Sequence, residues 1–274
     1  MSNAISEPAR SGKQPSAASP KNAPQPAVPV VPWHSFIGVI FVVVLYFVSQ
    51  VIAGVLVTLY PLFRHIPSSQ AVDWVNNSVT AQFFYILMAE ALVVGAVYGF
   101  LRFYKQTFAI IGLKRPHWYD PFIGLSAFVP YFVLYLISVT VIGHFVPGLN
   151  VNQQQQLGFN NVSGTLPLVL TFASLVVLPP LAEEIMVRGF LYSSLKKAMP
   201  TVGAVLATSA IFAAAHLPEG GAAGPLYIAA LDTFILSLVL IGLREATGNL
   251  WASITLHAVK NGIAFVALFA FHAR

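Results

Sequence analysis

The chain has 274 residues, of which 57% are hydrophobic and only 8% charged, with a mean hydropathy of +0.76. Soluble domains carry about 25% charged residues, so this composition excludes an ordinary soluble domain and points to an integral membrane protein. The net charge of +5 does not indicate nucleic acid, because the basic residues fall between apolar runs, where they act as a topological signal.

Residues 1–32 are rich in Pro, Ala, Ser and Lys and show no apolar periodicity. Such a segment cannot bury enough surface to offset its ordering entropy, so a disordered cytoplasmic tail is expected. It lacks the apolar core of a cleavable signal peptide. Apolar runs follow at 36–61, 81–101, 121–145, 166–195, 201–217, 224–243 and 250–271. A helix needs about 20 residues to cross the hydrocarbon core. The expected fold is therefore all-α, a polytopic membrane helix bundle of about seven transmembrane spans. Residues 33–165 supply spans one to three, and 166–274 form a catalytic helical core.

The fourth run is overlong and contains Pro179-Pro180; the fifth is short and ends at Leu217-Pro218, followed by Gly220-Gly221. Irregular backbone at membrane depth survives only where protein buries it or it lines a cavity. Both irregularities sit beside ionisable residues, so a cavity is expected there. If the helix restarts after Pro180, Glu183 and Glu184 fall in its first turn, where the helix dipole favours their charge.

Arg10, Lys13 and Lys21 precede the first run. Arg102, Lys105, Lys114 and Arg115 follow the second, Lys196 and Lys197 the fourth, and Arg244 the sixth. The other side holds only Arg64 and Arg274. The bias predicts a cytoplasmic N-terminus and a site facing the cytoplasm; the membrane expected, for a chain without recognisable eukaryotic features, is a bacterial inner (plasma) membrane. The Gln153–Gln156 run then lies in an external loop. Trp33, Trp118, Tyr119 and Trp251 fit an interfacial aromatic belt.

The stretch from Ser174 to His216 places Glu183, Glu184, Arg188 and His216 in otherwise apolar sequence. An ionisable group at a helix centre costs about 2.5–3.5 kcal/mol on insertion scales. Glu184 and Arg188 are four apart and can pair on one face. No basic residue stands three or four positions from Glu183. His257 and Asn261 are also four apart on the last span. Counted from the helix ends, Glu183, His216 and Asn261 reach similar depths of about 20 Å.

This set supports hydrolysis by activated water. Glu183 and His216 hold and deprotonate a water, while His257 and Asn261 donate to the oxyanion formed at a peptide carbonyl. Without cysteine, neither a thiol nucleophile nor a thiolate metal site exists. Zinc held by Glu183, His216 and His257 is the alternative to metal-free catalysis. There is no H-E-x-x-H, and Asn is a poor zinc ligand. Phe212 is expected to pack behind His216, and Lys260 to snorkel or line the cavity. Glu90 and Asp232 also lie in spans, with Asp232 a candidate acceptor orienting His216.

Three short patterns carry a resemblance: Glu183-Glu184-Ile-Met-Val-Arg188, Phe212-Ala-Ala-Ala-His216 and His257-Ala-Val-Lys-Asn261. With the flanks RGFLYSSL and ATGNLWASITLHAVKN and the IIGLKRP segment (Ile110–Pro116), the sequence resembles the CPBP family. This family comprises CAAX proteases and bacteriocin-processing enzymes, also called Abi. The matched region is about 174–265. The resemblance implies an intramembrane endopeptidase similar to type II CAAX prenyl endopeptidases. It also implies Glu183 and His216 as general base, His257 and Asn261 at the oxyanion, and Glu184, Arg188 and Phe212 in support. The partner is then a protein or peptide substrate in or at the lipid bilayer, with or without a lipid attached, and not nucleic acid. The competing functions are a non-catalytic immunity or scaffold protein and a proton-coupled transporter.

Overall fold

The computed structural model describes residues 30–146, 150, 159, 162–218 and 224–270. The expected tail up to residue 29, the Gln153–Gln156 run, Gly220-Gly221 and Arg274 lie outside the described residues. Among the described residues every regular element is helical.

Helix α1 (Ser35–Phe63) is followed by the short α2 (Ser68–Asn77) and by α3 (Val79–Phe103). The buried positions of α1 include Gly38, Val42, Leu45, Ser49, Ala53 and Val57. They recur every three or four residues, and several are small, which lets α1 lie close along α3. The chain then makes a 3₁₀ turn (Phe108–Ile111) before α4 (Asp120–Ser126) and α5 (Phe128–Phe145). Helix α4 packs closely on the last helix: a Cβ on Gly124 would lie 2.5 Å from the backbone oxygen of Ala252.

The fourth run is one continuous rod of changing pitch. It comprises α6 (Thr165–Phe172), a π-helical segment (Ala173–Val177), α7 (Leu178–Glu183), a second π-helical segment (Glu184–Leu191) and α8 (Tyr192–Ala198). Pro179 and Pro180 therefore do not break the span, and the glutamates do not open a new helix; Glu183 closes α7. The prolines are the second and third residues of α7, in its first turn after a π segment, where a missing N–H is tolerated. Next come α9 (Thr201–Ala215), α10 (Tyr227–Thr247) and α11 (Trp251–Phe265), with a π-helical extension (Val266–Ala270).

Among the described residues, six helices are long and apolar enough to cross a membrane: Ser35–Phe63, Val79–Phe103, Asp120–Phe145, Thr165–Ala198, Tyr227–Thr247 and Trp251–Phe269. The fifth apolar run forms only the 15-residue α9. At 1.5 Å per residue α9 is about 22 Å long, short of the roughly 30 Å hydrocarbon core.

The main core surrounds the second π segment. Trp33 stacks on Phe190 with ring centroids 4.8 Å apart and meets Phe100 edge-on at 5.4 Å. Its indole N–H donates to Ser194 Oγ at 2.8 Å. Trp33 is thus buried, with 1% of its surface exposed, and does not join an interfacial belt. Trp118, by contrast, is exposed.

One end of the bundle is tied by polar contacts between connections. Arg244 donates to Ser193 Oγ at 2.7 Å and to the Ile111 carbonyl at 3.3 Å. Lys196 pairs with Glu245. The Asn249 amide donates to the Arg115 carbonyl at 3.0 Å, and Leu250 N–H donates to the Gly112 carbonyl at 3.0 Å. Gly112 has φ +96°, a left-handed conformation that a side chain would strain. These bonds place the basic connections 102–116, 196–197 and 244–250 at one end. Arg244 itself is buried there.

The close approach at Gly124 gives a test. Gly124→Ala forces α4 away from α11 and is expected to cost about 1–3 kcal/mol by overpacking. Gly95, beside which a Cβ meets nothing within 4 Å, is the control. In detergent, thermal unfolding of Gly124→Ala should fall clearly below that of Gly95→Ala.

Candidate functional site

Adjacent residues on a helix point about 100° apart, and Glu183 and Glu184 divide accordingly. Glu183 keeps 22% of its side chain exposed, whereas Glu184 has none. Glu184 Oε1 accepts from Arg188 Nη1 at 2.8 Å and from His257 Nδ1 at 3.0 Å. The expected i,i+4 pair thus forms, and a residue of α11 joins it. The other imidazole nitrogen, His257 Nε2, lies 3.8 Å from Glu183 Oε2.

The first turn of this network rests on Phe212. The Arg188 guanidinium lies over its ring at 4.1 Å. The same ring meets His216 edge-on at 4.7 Å and His257 at 6.3 Å. His216 caps α9, and its Nδ1 lies 2.9 Å from the Phe212 carbonyl. A carbonyl can only accept, so the proton of a neutral ring sits on Nδ1 and the lone pair on Nε2.

Glu183 and His216 both line a cavity of about 370 Å³ bounded by α1, α3, the rod from Glu183 to Leu191, and α9. Its walls are mainly apolar, with Val42, Val93, Met186 and Ile211 among them. Tyr46, Gln50 and Glu90 add polar groups from α1 and α3. Tyr46 and Gln50 were not singled out in the sequence, although they form a polar pair four apart inside an apolar run. Glu90 was noted only as an ionisable residue in a span.

Asn261 has a different immediate environment. Its Nδ2 donates to the Leu175 carbonyl at 2.9 Å. In an α-helix that oxygen is bonded by the N–H four residues on, and in a π-helix by the N–H five residues on. Those residues are Pro179 and Pro180, which have no N–H to give. Asn261 supplies a donor in their place. A primary amide has two N–H donors, so one such bond does not exhaust it.

Asp232 does not orient His216. It accepts from the Tyr131 hydroxyl and pairs with Lys260 Nζ at 3.1 Å. Lys260, on α11, is thus held by a carboxylate of α10 instead of snorkelling away.

Among the described residues no three His, Cys, Asp or Glu side chains converge as ligands for a metal ion. No step below runs through a metal.

Residues 165–263, a little over a third of the chain, match the type II CAAX prenyl endopeptidase Rce1-like family. This is the family to which the three motifs pointed, and the matched segment contains all three. It supports, in general terms, a CAAX-protease-like intramembrane endopeptidase. No curated protein and no solved structure is similar enough to the chain to count as a match.

The shared oxygen of Glu184 sets a measurable dependence. Arg188→Ala leaves a carboxylate buried without its guanidinium and should cost about 3–5 kcal/mol of stability. Glu183→Gln, at the partly exposed neighbour, should leave the melting temperature in detergent nearly unchanged. The two melting curves together check the division of labour between the adjacent glutamates.

Proposed function

From that family match, we propose that the protein is an intramembrane endopeptidase that cuts a peptide bond with a water activated by Glu183 and His216. The observation that carries the reading is that these two side chains open on one cavity in a membrane-spanning bundle. With Nδ1–H on the Phe212 carbonyl, a neutral His216 carries its lone pair on Nε2, the atom that takes the water proton in this reading. Glu183, turned towards the cavity beside His257, holds the water and shares the role of general base.

The tetrahedral intermediate places a negative charge on the former carbonyl oxygen, which N–H donors must meet. In this reading His257 and the second amide N–H of Asn261 are those donors. His257 donates through Nε2 when its ring carries both protons, with Nδ1–H on Glu184 and the charge balanced by the flanking carboxylates. Glu184 and Arg188 act indirectly, by holding His257 in place. As the intermediate collapses, the proton taken from water passes to the leaving amine.

The substrate is a protein or peptide at the bilayer, with its reacting segment in the cavity. The end of the bundle carrying Lys105, Lys114, Lys196 and Lys197 faces the cytoplasm of a plasma membrane, by the rule that cytoplasmic connections are basic.

The activity is tested with a panel of apolar peptides offered to the protein in proteoliposomes, with fragments read by mass spectrometry. Glu183→Gln and His216→Ala should each lower the cleavage rate about 100- to 10,000-fold. Unchanged cleavage by Glu183→Gln would sink the mechanism. Proton or solute movement without cleavage would favour a transporter, and neither activity a scaffold.

Because the native chain has no cysteine, orientation can be read from single introduced thiols. In intact cells a membrane-impermeant maleimide should label Asn150→Cys and spare Lys105→Cys; the reverse pattern inverts the topology.

A further inference from the structure

Glu90 lies near the middle of α3, eleven residues after Val79 and thirteen before Phe103. An ionisable side chain at that depth normally faces a cavity or a partner and marks a functional position. Glu90 faces the cavity that Glu183 and His216 share. Setting histidine aside, the ionisable side chains lining that cavity among the described residues are the acids Glu90 and Glu183 and the phenol Tyr46, with no lysine or arginine. Arg188, the nearest buried guanidinium along the rod, is turned to Glu184 and has no exposed surface. The cavity is therefore a carboxylate-bearing space with apolar walls.

We infer that Glu90 is a specificity-determining residue that selects peptides carrying a lysine or arginine side chain close to the cleaved bond. The inference rests on the peptidase reading. If Glu183 is committed to the water, Glu90 is the carboxylate left to meet substrate. Lys and Arg combine a cationic head with an apolar stem, which suits a carboxylate set among Val42, Val93 and Met186. An acidic side chain in the same place would meet two further carboxyl groups and no lysine or arginine of the cavity wall, so selection works against acids as well as for cations. Gln50 of α1, which also lines the cavity, accepts from the Tyr85 hydroxyl of α3, so polar groups of both helices meet beside it.

The test uses short apolar peptides in which one residue, moved through each position, is lysine, norleucine or glutamate. Norleucine keeps the stem of lysine and removes its charge. Wild-type protein in proteoliposomes should cut the lysine peptides at a fixed offset from the lysine, about tenfold or more faster than their norleucine counterparts. In Glu90→Gln the ratio should fall towards one while norleucine peptides are still cut, and Glu90→Lys should shift preference to glutamate peptides. An equal ratio in the wild type, or an unchanged ratio in Glu90→Gln, overturns the inference and leaves the peptidase reading intact. So does a Glu90→Gln protein that loses all peptides in proportion, since that would mark a structural role. A wild-type protein that cuts none of the peptides overturns the peptidase reading and this inference with it.

Discussion

A single oxygen, Glu184 Oε1, holds together two parts of the molecule that the chain keeps far apart, the rod and α11. It receives the Arg188 guanidinium at 2.8 Å from its own rod and the His257 imidazole at 3.0 Å from α11, with no solvent on the side chain. Phe212 of α9 covers the guanidinium from the other side. A carboxylate in such a setting is tolerated only with its partners in place, because its desolvation is offset by them and by nothing else. The position of His257 Nε2 next to Glu183 is thus fixed by a neighbour that never reaches the cavity.

The rod that carries the glutamates departs from α-helical pitch on both sides of α7. π-helical turns are uncommon, and they accumulate where a backbone is shaped for a purpose. Here they let two prolines sit at membrane depth without a break and turn one of two adjacent carboxylates to the cavity while the other is sealed in. All eight residues of the second π segment are buried. The main core surrounds this stretch of irregular hydrogen bonding, which is how a costly backbone is held.

Much of this was legible in the sequence. The spans are long apolar runs, and six of them become helices of spanning length at nearly the expected bounds. The Glu184–Arg188 pair followed from a spacing of four. What stayed hidden depends on partners remote in sequence. His257 meets Glu184 across 73 positions and Asn261 meets Leu175 across 86; no local pattern announces either. Trp33 at the edge of a span reads as an interfacial residue until Ser194 and Phe190, some 160 positions on, are seen to bury it. Asp232 had several polar groups within plausible range, and the packing of α5 and α11 against α10 gave it to Tyr131 and Lys260. The π segments were invisible because apolar periodicity reports which face is buried, and not which carbonyl each N–H finds.

The bond from Asn261 to the Leu175 carbonyl bears on how such a chain can change over generations. Proline at 179 and 180 deprives that oxygen of backbone partners in either helical register, and the asparagine amide compensates. Losing the asparagine first strands the oxygen in an apolar interior; losing the prolines first leaves the amide competing with a restored backbone donor. The three positions form an epistatic unit, in which replacements are tolerated together and penalised one at a time.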